Sequence, residues 1–271
     1  MIYFQSLDRM KPDIVAPGYN IMAPHAHPQF GESDKKEKSG TSFAAPVVAG
    51  NAALVRQYFE EGWFNCGRKG CNDPIKPSGS LVKAVLMNGA TDLSGIQAVL
   101  PHAEVVEPVE PYDNNQGMGL INMVRSLPIQ GHNRFKALMQ NNEPITDGDK
   151  HTFFVKARLG AQCQSPSLSM TLAWYDKGGA NSCAKCLLND LDVWAQELTW
   201  NGNVRRGTKK FANDLSTQDT RNNVERIRFD MSNGKIYRIT VRATNLIEDE
   251  IKYSLFATGC FKNVPDPKTL V

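Results

Sequence analysis

The chain has 271 residues, of which 41% are hydrophobic, and its formal net charge at pH 7 is +3. This length accommodates one large or two medium domains, and the apolar fraction is sufficient for a hydrophobic core. Because the net charge is small and the basic residues are scattered, the sequence predicts no nucleic-acid partner. No apolar run reaches membrane-spanning length, so we expect no membrane partner. Residues 1–6 show no secretory signal.

The first predicted element is a short buried strand at Asp13-Ile14-Val15, followed by a turn at Ala16-Pro17-Gly18. Residues 19–39 are polar and predict a surface loop, with a solvated charge run toward its end. His25 and His27 lie in this loop without a carboxylate or cysteine at a metal-binding spacing. They are therefore predicted to be exposed loop histidines rather than metal ligands.

Residues 39–55 contain the most distinctive stretch of the chain. A short turn with Gly40, Thr41 and Ser42 leads into small and apolar residues, which predict a helix buried on every face. Pro46 is expected in the first turn, where a missing amide removes no intrahelical hydrogen bond. A hydroxyl at this place suits a nucleophile, because free amides and the helix dipole stabilise developing negative charge. The alternative is that Ser42 is an ordinary N-cap.

Further helices and loops are predicted before residue 130. Leu81 to Met87 form a helical pattern that Ser78 or Ser80 would cap. Residues 95–112 predict a loop, and residues 122–126 a short helix.

The hydrophobic pattern changes its period near residues 128–133. Beyond this boundary, apolar and polar residues alternate in several short runs, as in residues 237–242 and 253–257. Turn residues such as Asn233-Gly234 separate these runs. Several short strands with this spacing predict an antiparallel β-sandwich.

Six cysteines are distributed through loop-like sequence, which favours disulfides in an oxidising compartment. They are Cys66, Cys71, Cys163, Cys183, Cys186 and Cys260. Many pairings are open, although the loop that holds Cys66 and Cys71 is predicted to close on itself. The spacing of Cys183 and Cys186 also fits zinc or redox chemistry, which is disfavoured because no second matching pair exists.

Two strings in the first half resemble a known family. Gly-Thr-Ser-Phe-Ala-Ala-Pro-Val-Val-Ala-Gly, at residues 40–50, resembles the nucleophile segment of subtilisin-like serine proteases (peptidase family S8). Residues 11–18 look like the strand and turn that precede this segment. In the second half, residues 172–176, 188–193 and 221–225 are similar to the C-terminal β-sandwich of a subset that includes bacterial alkaline proteases of the KP-43 type.

The resemblance implies a fold, an activity and a site. Residues 1–130 would be the C-terminal portion of an α/β catalytic domain with a parallel sheet, and residues 131–271 an all-β antiparallel sandwich. The activity would be secreted serine endopeptidase action on a protein or peptide substrate. Ser42 would be the nucleophile, within a turn that Gly40 and Thr41 form beside the oxyanion hole.

Part of the family's chemistry does not appear in this sequence. The family also supplies an Asp in an Asp-Thr/Ser-Gly string, a His in a His-Gly-Thr string and an oxyanion Asn, and these strings do not occur here. In a subtilisin, loss of the catalytic base alone costs about a millionfold in turnover. We therefore expect the chain alone to be inactive and to need a missing N-terminal part of the catalytic domain as its partner. The alternative is a non-catalytic extracellular binding protein that uses the sandwich.

Acidic and amide side chains in the second half form a candidate calcium site. Calcium takes six to eight oxygen ligands, and converging loops can supply them. The candidates are Asp176, Asp190, Asp192, Asn222, Asn223 and Glu225. The competing interpretation is that these residues form turns and caps, as Asn and Asp commonly do. The proteolytic chemistry itself requires no cofactor.

Overall fold

The computed structural model describes residues 9–25, 34–93, 112–161, 163, 166–180, 183, 185–200 and 204–266. His27 lies outside these ranges, and so does the predicted loop at residues 95–112 except for its last residue. Three helices precede the long strands: α1 (Thr41–Glu60), α2 (Gly79–Asn88) and α3 (Met123–Ser126). The strands are β1 (Ile21–His25), β2 (Asp34–Lys38), β3 (Lys136–Thr146), β4 (Lys150–Ala157), β5 (Ser167–Trp174), β6 (Asp190–Trp200), β7 (Val204–Arg206), β8 (Lys210–Phe211), β9 (Val224–Asp230), β10 (Ile236–Asn245), β11 (Glu250–Gly259) and β12 (Phe261–Asn263).

The second half of the chain consists of two antiparallel sheets. The four-stranded sheet has the order β3-β11-β5-β9. The six-stranded sheet has the order β12-β4-β10-β6-β7, and β8 pairs with β6. Alternating side chains from both sheets, such as Leu172, Val193 and Ile239, share one buried cluster. The prediction of a β-rich second half is confirmed, because the alternating runs of the sequence became strands.

The parallel sheet of the predicted α/β half is not shown by the structure. In the described ranges, the parallel pairing before β3 is a single bridge between Val15 and Leu120. The predicted strand at residues 13–15 is therefore reduced to one bridging residue.

The predicted loop at residues 19–39 contains a β-hairpin instead. β1 and β2 pair antiparallel, with Ile21 opposite Lys38 and His25 opposite Asp34. The charge run thus forms part of a strand, because backbone pairing with β1 overrides the low strand propensity of its Lys, Glu and Asp residues.

Helix α1 forms as expected but is not buried on every face. Of its residues, only Val55, Tyr58 and Phe59 are buried, and Leu54 is 54% exposed. The apolar N-terminal half of α1 lacks a covering layer within the described residues. Pro46 is the sixth residue of α1, so it lies beyond the first turn and removes the backbone donor for the Ser42 carbonyl.

Helix α2 connects the two halves of the chain. Ser78 caps it, with its side-chain oxygen accepting a hydrogen bond from the Leu81 amide at 3.1 Å, which confirms one of the two predicted caps. Almost every side chain of α2 is buried, against α1 on one side and β3, β5 and β11 on the other. A hydrophobic cluster therefore crosses the predicted boundary near residue 130 and joins Phe59 of α1 to Phe256 of β11.

All six cysteines are paired in the structure. The disulfides are Cys66–Cys71, Cys163–Cys260 and Cys183–Cys186. The first of them closes its own loop, as the sequence predicts. The Cys183–Cys186 pairing favours the disulfide over the zinc alternative for this spacing.

Candidate active site

The turn before α1 holds Ser42 at the second position of the helix. Gly40 is the N-cap residue, so the alternative that Ser42 caps α1 is wrong. Gly40 has a φ of 151°, a backbone conformation that glycine adopts more readily than other residues. Its carbonyl accepts a hydrogen bond from the Phe43 amide at 3.0 Å. This arrangement leaves Ser42 exposed on the first turn of the helix.

A second glycine fixes this turn from the other side. The Gly40 amide donates a 2.7 Å hydrogen bond to the Gly18 carbonyl. A Cβ atom at Gly18 would lie 2.7 Å from the Gly40 carbonyl oxygen and 3.2 Å from the Ala44 Cβ. The Ser39 hydroxyl accepts a 2.9 Å hydrogen bond from the Asn20 amide. The predicted Pro17-Gly18 turn therefore packs directly on the turn at Gly40 and requires glycine at position 18.

The start of α1 has the electrostatics of an oxyanion site. The first amides of a helix have no intrahelical acceptor, and those of Thr41 and Ser42 have no backbone acceptor in the described part of the chain. The positive end of the helix dipole lies at the same end of α1 as these free amides. An oxygen that gains negative charge next to Ser42 would be stabilised by these groups.

The described residues place no base beside Ser42. Its hydroxyl has no hydrogen bond to any of them. His151 bonds to the Tyr253 hydroxyl through Nδ1 at 2.8 Å, in the β-rich half. His25 lies in β1, and His132 follows the α3 segment. Within these ranges, the geometry provides an exposed hydroxyl and free amides, but no described group is hydrogen-bonded to Ser42 and able to accept its proton.

The segment before Gly18 is held by contacts to α2 and to residues 118–121. The Asp13 carbonyl accepts the Met118 amide at 3.0 Å, and Val15 donates to Gly119 at 3.0 Å. The Asp13 carboxylate pairs with the Lys83 ammonium of α2 at 3.3 Å. Burial opposes ionisation of Asp13, but Lys83 and Lys11 outweigh it and lower the Asp13 pKa. These contacts position the Gly18 turn.

Three of the six predicted calcium ligands have structural roles instead. The Asp176 carboxylate accepts the Leu188 and Asn189 amides at 2.9 and 3.0 Å and pairs with Arg9 at 2.9 Å. Asn222 accepts the Met10 amide, and Asn223 donates to the Trp174 carbonyl. The turn-and-cap interpretation therefore describes these three residues.

The other three candidates form a buried acidic group. Asp190, Asp192 and Glu225 are 4%, 1% and 1% exposed, and each has one buried oxygen without a hydrogen-bond partner. Burial, with Asp192 as second cause, raises the pKa of Asp190 to about 6. Burial and then Asp192 also raise the pKa of Glu225. No cluster of three metal-binding side chains is assembled within the described ranges, so the six-residue site is not formed.

Sequence reasoning missed two arginines that cap the C-terminal end of α2. Arg226 of β9 donates to the Met87 carbonyl at 2.9 Å and to the Ala90 carbonyl at 3.3 Å. Arg228 donates to the Asn88 and Ala90 carbonyls at 2.9 and 3.0 Å. Arg226 and Arg228 are two positions apart in β9, so both side chains lie on the same face of the strand. The sequence gives no indication that this face packs against the C-terminal end of α2.

Comparison with known proteins supports a serine-protease family. The model of the subtilase family matches residues 3–119, which include the Gly18 turn and Ser42. A protein of Dictyostelium discoideum, serine protease/ABC transporter B family protein tagB, is 26% identical over 93% of this chain. Its companion tagA is 25% identical over 91%. In Arabidopsis thaliana, subtilisin-like protease SBT2.2 is 31% identical over 46% of the chain.

The chain spans only a small part of these relatives, 15% of tagB and 14% of SBT2.2. No helix among the described residues is both long and apolar enough to cross a membrane. The match to the subtilase family model over residues 3–119 and the similarity to these proteins together support a serine-protease family for the first part of the chain.

Proposed function

We propose that this chain is the nucleophile-bearing part of a subtilisin-like serine endopeptidase. The supporting observation is the exposed Ser42 hydroxyl on the first turn of α1, next to free backbone amides and held by Gly18 and Gly40. In this reaction the Ser42 Oγ gives its proton to a base and attacks the carbonyl carbon of a peptide bond. The C–N bond then breaks, the amine leaves with that proton, and water hydrolyses the resulting acyl-enzyme and restores the Ser42 hydroxyl. The amide of Ser42 donates to the oxyanion that forms on the carbonyl oxygen.

The reaction also needs a base for the Ser42 proton, which we place on another part of the polypeptide. The exposed apolar surface of α1 supports this assignment, since Ala45, Ala49 and Leu54 face no covering layer in the described residues. A segment with the Asp, His and Asn of the family would bury this surface and bring the base to Ser42. Exposed apolar patches of this kind are typical of interaction surfaces.

The isolated chain of 271 residues is expected not to react with a fluorophosphonate probe, because an unactivated serine hydroxyl is a weak nucleophile. The longer polypeptide, captured from its source with an antibody to the second half, is expected to react at Ser42. Labelling would be measured by mass spectrometry of the Ser42 peptide. Probe labelling or peptide hydrolysis by the isolated chain, lost in Ser42→Ala, would contradict the need for a separate base. No labelling of the captured polypeptide would instead favour the non-catalytic binding protein.

We also propose that the two sheets form the sandwich of a secreted protein. Supporting observations are the core that both sheets share and the three disulfides. Disulfides persist in oxidising compartments such as the extracellular space.

For calcium, we propose that an ion binds next to the buried carboxylates of Asp190, Asp192 and Glu225. These three side chains do not form a metal-binding cluster by themselves in the described ranges, so backbone oxygens or water would supply the remaining ligands. The unpartnered buried oxygens of the three carboxylates support this proposal, since buried charges are normally paired or bound to a cation. At pH 7.5, excess EDTA is expected to lower the melting temperature and added calcium to restore it. Asp190→Asn and Glu225→Gln should remove this response, while Asp230→Asn, at an exposed carboxylate of the same strand as Glu225, should keep it.

Protons are the competing way to neutralise these carboxyls. The folded pKa of Asp190, about 6, lies above its ordinary value of 3.8. Its contribution to stability is then full below pH 3.8 and is lost as the pH rises through about 6. A melting temperature that falls over this range and ignores both EDTA and calcium would overturn the calcium proposal.

A further inference from the structure

A cavity of about 350 Å³ with a mixed polar and apolar lining lies where the end of α2, helix α3 and the four-stranded sheet meet. This volume is at the lower end of the range for small-molecule sites, about 300–1,000 Å³. Its lining includes Arg125 of α3, Arg228 of β9 and Thr258 of β11, and Ser42 is not part of it. The cavity is therefore separate from the candidate active site.

Hydrogen bonds fix the position of Arg228, but one of its two terminal nitrogens makes none with the described residues. Its Nη2 donates to the Asn88 and Ala90 carbonyls, and its Nε lies 3.4 Å from the Ser169 hydroxyl oxygen. Its Nη1 has no hydrogen bond to the described residues. Carbonyl oxygens are neutral acceptors, so these contacts orient the guanidinium without compensating its charge.

The positive charge at this cavity exceeds the negative charge. Arg125 has no ion pair or side-chain hydrogen bond within the described ranges, and none of the described lining residues is Asp or Glu. Burial first, and then the neighbouring Arg226, lower the pKa of Arg228 to about 10. Tyr112 and then Asp92 offset part of this effect. The Asp230 carboxylate accepts a hydrogen bond from the lining residue Ser167, but it does not itself line the cavity. A bound anion would supply the missing charge.

The remaining lining provides a donor and an apolar wall. Asn88 Nδ2 donates to the Thr258 hydroxyl oxygen at 2.8 Å, which leaves the Thr258 proton for another acceptor. Thr258 is 5% exposed, so a hydrogen bond there would be shielded from water. Val124 and Phe135 also line the cavity and offer an apolar surface beside the charged groups.

We propose that this cavity binds a small organic oxyanion, with Arg125 and Arg228 holding its charged group and Thr258 donating a hydrogen bond to it. Planar guanidinium groups match carboxylate and phosphate oxygens in pairs. Because the cavity joins α2 and α3 to the four-stranded sheet, such a ligand would also stabilise the contact between the two halves of the chain. This site depends on neither the nucleophile nor the calcium proposal.

The test is calorimetric titration of the 271-residue chain with benzoate, inorganic phosphate and benzamide, the neutral analogue of benzoate. Benzoate is expected to bind if the ligand is a carboxylate with an apolar body, and phosphate if it is a phosphate ester. Benzamide is expected not to bind. Arg125→Gln, at an exposed position, should weaken binding about tenfold, since a charge-assisted hydrogen bond is lost.

Two further variants separate binding from folding. Arg228→Lys keeps a charge but not the paired donors, and it should weaken binding at least as much as Arg125→Gln. Arg158→Gln, at an exposed arginine outside the lining, is the matched control and should bind as the unaltered chain does. The proposal is overturned if neither anion binds the folded chain at concentrations up to about 10 mM. It is equally overturned if Arg125→Gln and Arg158→Gln bind alike.

Discussion

Ser42→Ala in the complete polypeptide is expected to reduce peptide hydrolysis about a millionfold, the largest effect of any substitution considered for this chain. In the proposed reaction the Ser42 Oγ atom forms the acyl-enzyme bond, and no other side chain on the first turn of α1 has its position. The fold should be unaffected because Ser42 is exposed and its hydroxyl has no hydrogen bond within the described residues. Turnover of a fluorogenic peptide and probe labelling would be measured in parallel.

Ser39→Ala is the matched control for this experiment. Ser39 is also an exposed serine of the same turn, but its hydroxyl accepts a hydrogen bond from the Asn20 amide. Its loss should cost about 0.5–1.5 kcal/mol of stability and leave most of the turnover intact. If Ser42→Ala retains the activity and Ser39→Ala abolishes it, the nucleophile is wrongly assigned.

The sequence predicts those parts of the fold that depend on local patterns. The cap at Ser78, the helix that follows it and the strands with alternating residues depend on neighbours within a few positions, and they formed as expected. The tight turn at Gly40 was predicted from the sequence, and its φ of 151° explains why glycine is suited to this position. Local patterns do not include distant partners, however.

The features that were missed depend on such partners. The β1–β2 hairpin pairs Ile21 with Lys38 and cannot be inferred from the charges in β2. Whether an acidic side chain in the second half is a ligand or a turn former depends on which amides approach it. Asp176 meets the amides of residues 188 and 189, whereas Glu225 has an oxygen without a partner. The exposure of α1 likewise depends on which neighbouring elements cover it. The apolar residues of the helix alone predicted that it would be buried on every face, which is wrong.

The second large effect is expected at the contact between the two halves of the chain. Phe256→Ala should lower the free energy of unfolding by about 3–5 kcal/mol, because Phe256 is fully buried and its removal leaves a cavity. The ring makes an edge-to-face contact with Phe59 of α1, at 6.4 Å between centroids and 86° between planes. It also lies in the buried cluster that includes α2. Urea unfolding, followed by circular dichroism, would measure the loss.

The pattern of local unfolding distinguishes a shared core from two independent domains. Leu255→Ala, at the adjacent buried position, removes a side chain from the cluster between the two sheets. Successive side chains of a strand point to opposite faces, so this variant should loosen the sheets. Phe256→Ala should instead make α1 and α2 the first segments to exchange their amide hydrogens. Ile247→Ala, at a residue 61% exposed, should change neither. If Phe256→Ala costs less than about 1 kcal/mol and leaves exchange in α1 and α2 unchanged, these helices do not depend on the four-stranded sheet for their stability.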